Sequence, residues 1–509
     1  AALRPAPAQL SSAYRWYALA LLSTLNLLNY LDRNVIFALF EPIKRDLSLT
    51  DAQLGWLGSA YILVFSVAAL PFGVLSDLRS RRAVITWGVS LWSAFTVLAG
   101  LVRGFGQLFV TRAAVGIGEA AFGPASQSLV ADYFPGKTRA LAMGILSAGL
   151  SLGGVLGLWL GGKLEAVYGW RVAFMAVGLP GFLLAIFAVR LVDPTRVLTP
   201  VSVRKLLQEL KLGVSAVVRQ FNPLLVSSGI AAMAAFWLQR SEIASTGVDT
   251  MLVGAGVAVG LTLNIRQWVR QIRRDQIDET PFGGGVSDVF GELVRGVALV
   301  LRTPTLVYVF LSGAMVSFGL NGVVGWGPTF ASRELGWTAS QAAGLLGKWG
   351  LIFGVLGTLF GGVLADFLKK YTDAGRVWTV ALGLLLGGPL TIWLLTIRDP
   401  AHFIPVFCAA FFCLTWYNGP LAATIFDVVP ARISATVVGA YLLFIHLAGD
   451  AIALPLVGGL SDRFGIDQAI MILPIVSVLG GVVMLGAVRT VAQDGIRATG
   501  EFPVARPTG

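Results

Sequence analysis

The sequence has little charge and almost no cysteine. Only 13% of its 509 residues are Asp, Glu, Lys or Arg, and 56% are hydrophobic, whereas a soluble domain usually carries about 25% charged residues. This composition predicts a membrane protein and excludes an ordinary soluble fold. The two cysteines, Cys408 and Cys413, lie in one apolar run, so the sequence predicts neither a disulfide framework nor a metal site.

Motifs of soluble enzymes are also missing. No Walker A phosphate loop occurs, so we predict that ATP is not the energy source and that the chain is not an enzyme and holds no cofactor. The string Gly116-Ile117-Gly118-Glu119 is too short for a dinucleotide-binding loop. It lies inside an apolar run, where glycines more often allow two helices to pack closely.

The net charge of +11 raises the question of nucleic-acid binding. The basic residues, however, cluster between apolar runs, as they do in the cytoplasmic loops of membrane proteins. No soluble stretch interleaves them with aromatic residues. Nucleic acid is therefore not an expected partner, and the bilayer is.

What the sequence does contain is a series of apolar runs, each of about 19 to 29 residues and long enough to cross a hydrocarbon core of roughly 30 Å as a helix. Because backbone amides in lipid must be satisfied within their own segment, these runs are predicted to be helical. The first set lies near residues 15–40, 52–77, 83–102, 107–132, 139–164 and 170–192. The second set lies near residues 304–331, 340–368, 376–397, 402–427, 435–460 and 468–489.

Short charged phrases recur at the ends of these runs. Gly73–Arg82 is matched by Gly361–Lys370, and Asp132-Tyr133-Phe134-Pro135 is matched by Asp427-Val428-Val429-Pro430. Three pairs of landmarks are separated by 289 to 297 residues, namely Asp77 and Asp366, Asp132 and Asp427, and Gly162 and Gly459. A nearly constant offset indicates a duplicated chain, and internal duplication of membrane helices is typical of secondary transporters.

These runs predict an all-α membrane protein with two pseudo-symmetric six-helix bundles and an extra helical hairpin between them. The predicted domains are a disordered tail at 1–14, a bundle at 15–195, a basic linker at 196–303 with membrane helices at about 222–239 and 249–266, a bundle at 304–490 and a tail at 491–509. The alternative for the hairpin is that it lies in the membrane interface. The Lys and Arg distribution predicts that both termini are cytoplasmic, in a multi-pass protein of the bacterial inner membrane.

Three charged residues fall inside predicted membrane helices, where charge is costly and usually functional. Asp32 lies about seventeen residues into the first helix, and Arg112 lies near the same depth on the fourth, which runs the opposite way. Glu119 shares the helical face of Arg112, about 10 Å deeper. Together they could exchange a proton, which would leave Arg112 free to pair with an anionic substrate. The alternative is a static buried network.

Other polar residues are candidates for binding substrate or for gating. Candidate substrate-binding residues are Asn26, Asn29, Tyr30, Arg33, Arg112 and Glu119 in the first half and Asn321, Tyr417, Asn418 and His446 in the second. His446 and Asp450 are four residues apart and could form a pair on one helical face, although helix-to-helix hydrogen bonding is an equal alternative for them. The predicted cytoplasmic gate consists of Asp77, Arg79, Arg81, Arg82 and Asp366. A charged first half and an apolar second half would suit an amphiphile.

The phrase at Gly73–Arg82, its partner at Gly362–Lys370 and Gly169-Trp170-Arg171 resemble the major facilitator superfamily over nearly the whole chain outside roughly 200–300. That resemblance implies two six-helix bundles around a central cavity with alternating access. Asn29-Tyr30-Leu31-Asp32-Arg33, together with the string Arg112–Ala120, is similar to the Spinster group of sphingolipid and lysophospholipid transporters. It implies that Asp32 is the proton-sensitive carboxylate and that Arg112 and Glu119 belong to its network. Sugar-acid and phosphate symporters share an Asn-Tyr-x-Asp-Arg string.

We therefore predict a proton-coupled transporter of an amphipathic lipid, such as a lysophospholipid or a sphingosine-phosphate-like molecule, acting as a monomer. The alternative is a proton-coupled symporter of a small hydrophilic organic anion. A receptor or scaffold built on a transporter fold would not need the Asp32, Arg112 and Glu119 set. The substrate, the direction of transport and the stoichiometry do not follow from the sequence.

Overall fold

The computed structural model describes residues 10–78, 80–134, 138–193, 299–430 and 434–499, together with single helical positions between residues 222 and 270. In these ranges all regular structure is helical. The first half contains α1 Ser12–Ala38, α2 Phe40–Leu47, α3 Asp51–Leu78, α4 Arg81–Ala99, α5 Phe105–Tyr133, α6 Arg139–Tyr168 and α7 Trp170–Ala188. The second half contains α8 Pro304–Glu334, α9 Ala339–Lys369, α10 Gly375–Thr396, α11 Pro400–Leu414, α12 Asn418–Val428, α13 Ser434–Ile445, α14 Ala451–Phe464, α15 Ile466–Ala469, α16 Ile472–Gly486 and α17 Val491–Thr499.

Three irregular helical turns interrupt the second half. Thr415–Tyr417 and Ala487–Arg489 form 3₁₀ turns, and His446–Asp450 forms a π-helical segment between α13 and α14. The first helix, α1, begins at Ser12, within the range predicted as a tail, and Ser11 accepts a hydrogen bond from the Tyr14 amide. At the other end, residues 491–499 form α17, and its Asp494 accepts the amide of Thr305 at the start of α8. Residues 491–499 are therefore tied to the second bundle.

The two halves repeat one packing pattern, as a duplicated chain should. In the first half α1 packs on α6, α5 packs on α3 and α4, and α4 packs on α7. In the second half α8 packs on the π-helical segment and α13, α11 packs on α9 and α10, and α10 packs on α16. The predicted duplication is thus visible in three dimensions.

Ten helical spans within the described ranges are long and apolar enough to cross a membrane, three of them running through the irregular turns of the second half. Neither α1 nor α5 meets that criterion, and these are the helices that carry Asp32, Arg33, Arg112 and Glu119. They nevertheless pack as integral members of the first bundle. The polar site is therefore built into the two least apolar long helices of that half.

The two halves meet at one end of the molecule. In the first half, α1 ends there at Ala38, α3 begins there at Asp51 and α6 ends there at Tyr168. We call this the closed end. One buried cluster there joins both halves, with Phe37 and Leu57 beside Trp326, Leu454 and residues around them. The ring of Phe40 lies 5.3 Å from that of Trp326. The hydrophobic core of the molecule is thus shared between the halves at the closed end.

At the opposite end, each half has its own packing. A second buried cluster contains residues of the first half alone, including Leu22, Trp92 and Phe122. Ion pairs here also join helices of one half, because Arg81 binds Asp132 at 2.6 Å and Lys369 binds Asp427 at 2.7 Å. The described contacts therefore fit a state in which the halves close at one end of the molecule.

Glycines on α5 allow the close helix packing that the sequence predicts. A Cβ added at Gly118 would lie 2.7 Å from the Gly88 carbonyl oxygen and 2.7 Å from the Trp92 amide nitrogen of α4. One added at Gly116 would lie 2.6 Å from the Tyr61 carbonyl oxygen of α3. The string Gly116–Glu119 is therefore a packing motif that brings Glu119 close to α3 and α4.

We expect the Gly118→Ala variant to unfold at a temperature several degrees lower than the parent. Overpacking of this kind costs about 1–3 kcal/mol, because backbone atoms of α4 must move. Thermal unfolding in detergent, followed by the intrinsic fluorescence, measures the change. Gly123→Ala on the same helix is the matched control, since nothing lies within 4 Å of an added Cβ there. Equal losses in the two variants would contradict a packing role for Gly118.

The extra helical hairpin and its basic flanks lie almost entirely outside the described residues. The described positions between 222 and 270 are helical and belong to a unit of their own. There a Cβ on Gly256 would lie 2.9 Å from the Ser227 carbonyl oxygen, which shows close helix packing within this unit. A transmembrane hairpin remains a prediction.

Candidate functional site

Asp32 and Arg112 form a buried ion pair between α1 and α5. The Arg112 Nη1 atom lies 3.1 Å from Asp32 Oδ1, and neither side chain is more than 1% exposed. Thr96 of α4 donates its hydroxyl to the other carboxylate oxygen, Oδ2. The depth match predicted from the sequence is confirmed, and three helices contribute to the carboxylate's environment.

Arg33, the next residue along α1, forms a second ion pair. Its Nη2 and Nε atoms lie 2.8 and 3.2 Å from Glu119 Oε2. The guanidinium carbon also lies 4.5 to 4.8 Å from the ring centres of Tyr30, Tyr61 and Phe65. Glu119 is fully buried, whereas the Arg33 side chain is 12% exposed. Arg33 is therefore the most accessible charge of this group.

The sequence placed Asp32, Arg112 and Glu119 in one network, and the structure divides it into two pairs. Glu119 bonds to Arg33 and not to Arg112, because successive residues on α1 point about 100° apart around the helix. The pairs remain within electrostatic reach of each other. Two buried polar atoms here, Glu119 Oε1 and Arg112 Nε, have no hydrogen-bond partner among the described residues.

A polar cluster faces this site from the second half. Asp450 Oδ2 lies 2.7 Å from His446 Nδ1, and its Oδ1 accepts the Asn321 amide at 2.8 Å and the Ser317 hydroxyl. The predicted pair of His446 and Asp450 is confirmed, whereas Asn321 proves to be a partner of Asp450. Asp450 is 5% exposed and holds three partners, so the second half carries a buried carboxylate of its own.

Tyr61 of α3 lies between the two clusters. Its ring makes a cation–π contact with Arg33, and Asp450 lies within electrostatic range of it. The π-helical segment that carries Asp450 packs directly on α3, so the second-half cluster adjoins the helix of Tyr61. Sequence reasoning missed Tyr61, although a tyrosine within an apolar run was a signal.

The remaining candidate residues have local roles in this state. Asn26 donates to the Leu146 carbonyl of α6 at 2.8 Å, and Asn29 is buried with its Nδ2 atom unpartnered among the described residues. Asn418 is exposed and donates to the Thr358 hydroxyl at 3.1 Å. Tyr417 is half-buried and lies near Asp450. Asn29 and Tyr417 thus border the clusters, whereas Asn26 and Asn418 make helix-to-helix bonds.

The predicted gate is described in part. Arg81 is buried and binds Asp193 at 2.6 Å as well as Asp132, so in this state it joins three segments of the first half. Asp366 is exposed, 3.9 Å from Arg376, and Arg82 is half-buried. The remaining two gate residues, the side chain of Asp77 and all of Arg79, lie outside the described residues.

An apolar groove of about 510 Å³ lies between α9 and α11. Its walls are aromatic and aliphatic, formed by Trp349, Phe353, Ile404, Pro405, Cys408, Ala409 and Phe412. The Lys348 ammonium lies 4.8 Å from the Trp349 ring centre. The second half therefore offers an apolar surface with one cation at its edge.

A paired-bundle membrane fold with buried carboxylate–guanidinium pairs is typical of secondary transporters. The Major Facilitator Superfamily model matches residues 22–449, and the chain belongs to that family. It is therefore a multi-pass membrane transporter and not an enzyme.

Relatives of this chain include a sphingosine-1-phosphate transporter and a probable sugar-acid transporter. It is 23% identical over 531 residues to the sphingosine-1-phosphate transporter SPNS2 of Xenopus tropicalis, covering 97% of this chain and 86% of the relative. It is 32% identical over 169 residues to a probable L-galactonate transporter of Escherichia coli, covering 33% of this chain. The chain spans about 37 to 40% of the length of several such curated relatives.

The solved structures show the same fold. A bacterial homologue of the human lysosomal transporter Spinster, in an inward-facing and unoccupied conformation, matches with a TM-score of 0.71 and 22% identity. The match covers 97% of this chain and 100% of that one. The predicted resemblance to the Spinster group is confirmed.

Proposed function

We propose that this chain transports an anionic or zwitterionic amphipathic lipid, such as a lysophospholipid or a sphingosine-phosphate-like molecule, by proton-coupled alternating access. The observation that carries the proposal is the contrast between the halves. Buried ion pairs occupy the first half, with Arg33 partly exposed, while an aromatic groove runs between two helices of the second. The resemblance to SPNS2 over nearly the whole chain supports the same substrate class.

Asp32 and Glu119 are the groups proposed to carry the proton. Each carboxylate is held by one guanidinium, and a proton on the carboxylate removes the charge that the guanidinium neutralises. The released N–H groups of Arg112 or Arg33 can then bind a phosphate or carboxylate oxygen. The unpartnered Glu119 Oε1 and Arg112 Nε atoms give both groups spare hydrogen-bonding capacity. Substrate and proton are in this way coupled through the same pairs.

The proposed substrate lies with its headgroup near Arg33 and its tail on apolar surface. Arg33 offers its Nη1 atom, which has no hydrogen bond among the described residues. His446 is the polar contact expected from the second half, with 32% of its side chain exposed. A tail in the groove along Trp349 and Phe412 would remove apolar surface from water, which favours binding by about 25 cal/mol per Å².

The alternative is symport of a small organic anion such as a sugar acid. The polar cluster around Asp450 favours it, because a hydrophilic substrate needs hydrogen-bonding groups from both halves. The resemblance to the galactonate transporter also supports it. For either substrate we propose a monomer with both termini in the cytoplasm of a bacterial cell, which makes the closed end the outer one.

A liposome experiment separates the two substrates. Purified protein is reconstituted, and uptake of labelled lysophosphatidylglycerol and of labelled galactonate is measured with and without a pH gradient, against protein-free vesicles. We expect the gradient to increase lysolipid transport several-fold and to leave galactonate at the background of empty vesicles. Gradient-driven galactonate uptake without lysolipid transport would establish the alternative. Transport that ignores the gradient would remove proton coupling.

A further inference from the structure

Asp51, the first residue of α3, is the centre of an ion cluster at the closed end. Its carboxylate accepts hydrogen bonds from Arg333 at 2.6 and 2.8 Å, from Lys44 at 2.5 Å and from Ser461 at 2.6 Å. Arg333 also binds Glu41 at 2.6 Å. Asp51 is 1% exposed. Since Arg333 and Ser461 belong to the second half, this carboxylate joins the two bundles.

The N-terminus of α3 is capped by both halves of the protein. Thr50 and Gln53 form a capping box, in which the Thr50 hydroxyl accepts the Gln53 amide at 3.2 Å and the Gln53 side chain accepts the Thr50 amide at 3.0 Å. Asp462 of α14 accepts the next two free amides, those of Asp51 at 2.7 Å and Ala52 at 2.9 Å. Separation of the halves at this end therefore exposes two helix-terminal amides as well as the Asp51 carboxylate.

Two helix contacts, or seams, related by the duplication join the halves: α3 packs on α14, and α6 packs on α9. The α6–α9 seam has the same capping box as the α3–α14 seam but lacks its charged residues. Thr338 and Gln341 repeat the capping box at the start of α9. Ala339 occupies the position of Asp51, and Glu165 corresponds to Asp462 at the offset of 297 residues. No hydrogen bond joins Glu165 to α9 among the described residues. Contacts there are apolar, as where an added Cβ on Gly347 would lie 3.0 Å from Val155.

We propose that Asp51 is a latch that holds the closed end shut on the side of the α3–α14 seam alone, through Arg333 of α8 and Ser461 of α14. Its bonds then set the balance between the states closed and open at this end. The inference rests on the geometry of the two seams and does not depend on the substrate or on proton coupling. Since Glu165 makes no hydrogen bond to α9 among the described residues, the α6–α9 seam separates there without breaking an ionic bond of the kind that Asp51 makes. The two duplicated seams therefore differ in function.

Two independent substitutions should release the latch. Asp51→Asn removes the charge that Arg333 and Lys44 bind while keeping the shape of the side chain. Gly458→Ala acts as a wedge instead, because its Cβ would lie 2.7 Å from the Asp51 carbonyl carbon and 3.0 Å from the Ala52 Cα. Their controls are Glu165→Gln on the other seam and Gly459→Ala, where nothing lies within 4 Å of the added Cβ.

Pulsed electron paramagnetic resonance can follow the opening without a ligand. The native cysteines at 408 and 413 are replaced by alanine. Spin labels are attached at Gly106→Cys and His402→Cys, exposed positions at the closed end of the first and second halves. A second labelled pair, Arg190→Cys and Tyr371→Cys, reports the opposite end. Distances are measured in lipid nanodiscs at one pH.

We expect Asp51→Asn and Gly458→Ala each to raise the ratio of long to short distances at the closed end by about tenfold. A single hydrogen bond to a charged group contributes enough for such a change. The opposite-end pair should become closer in the same samples, and both controls should match the parent. Unchanged distances in Asp51→Asn, or an equal shift in Glu165→Gln, would overturn the latch. Lengthening at the closed end alone would also overturn it, since it would show local loosening without a change of state.

Discussion

In liposomes that contain the Asp32→Asn variant, a pH gradient is expected to drive no accumulation of substrate, while exchange of labelled for unlabelled substrate continues. Asparagine keeps the shape of the carboxylate but cannot bind and release a proton. Its amide oxygen can still accept the Arg112 bond now made by Oδ1 at 3.1 Å, and the Thr96 hydroxyl can rotate to accept from the new NH₂ group. The Glu119 carboxylate remains nearby to balance the Arg112 charge.

The measurement compares gradient-driven uptake with exchange in the same vesicles. Asp399→Asn is the control, because Asp399 is an exposed carboxylate at the start of α11, far along the chain from the buried pairs. That variant should accumulate substrate as the parent does. Gradient-driven accumulation in Asp32→Asn would show that the coupling proton binds elsewhere, with Glu119 the next group to test. Loss of exchange as well would assign Asp32 to binding or stability.

The pairing of Asp32 with Arg112 could be predicted from the depth of the two residues in the membrane. A helix rises 1.5 Å per residue, so counting from the ends of two antiparallel apolar runs places both residues at one level. The helices themselves followed from the length of the runs and agree with the described elements to within a few residues. The internal repeat predicted that the two halves share one fold. It could do so because the offset between repeated phrases is read directly from the sequence and requires no knowledge of side-chain contacts.

The pairing of Arg33 with Glu119 could not be predicted in the same way. It depends on the rotation of α1 about its axis. That helix packs closely on α6, where an added Cβ at Gly153 or Gly157 would lie 2.3 or 2.4 Å from the Leu27 or Leu31 carbonyl oxygen. The role of Asp450 was also hidden, because a single carboxylate near a histidine does not reveal that Asn321 and Ser317 point at it from another helix. Such contacts depend on the crossing angles between helices, which cannot be predicted from the spacing of apolar residues.

The cluster around Asp51 shows a signal that was present in the sequence and overlooked. Thr50–Gln53 and Thr338–Gln341 repeat a capping box at nearly the offset of the other landmarks, which places both helix starts at one end. Asp51 then stands out because its counterpart is Ala339. What the sequence could not supply is the partner, since Arg333 and Asp462 are distant in the chain and meet Asp51 only after the halves close.

The exposure of the two arginines indicates which of them meets an anionic headgroup. Both belonged to the predicted substrate site, but Arg112 is 0% exposed and committed to Asp32. Arg33 is partly exposed, binds Glu119 through one edge of its guanidinium and leaves Nη1 without a bond among the described residues. Three aromatic rings fix the plane of its guanidinium. A rigid, partly bonded guanidinium loses little entropy when it binds a phosphate.

We therefore expect Arg33→Gln to raise the concentration of lysophosphatidylglycerol needed for half-maximal transport by about 10- to 100-fold, since a hydrogen bond to a charged group contributes roughly 1.5–3 kcal/mol. Zwitterionic lysophosphatidylcholine should be affected less, because its own cation offsets part of the lost attraction. The matched control is Arg171→Gln, which removes a guanidinium that also pairs with a carboxylate, Asp46, and lies 4.3 Å from a ring, that of Trp170. If Arg33→Gln affects both lipids equally, or no more than the control, Arg33 acts as a structural partner of Glu119 and the headgroup binds elsewhere.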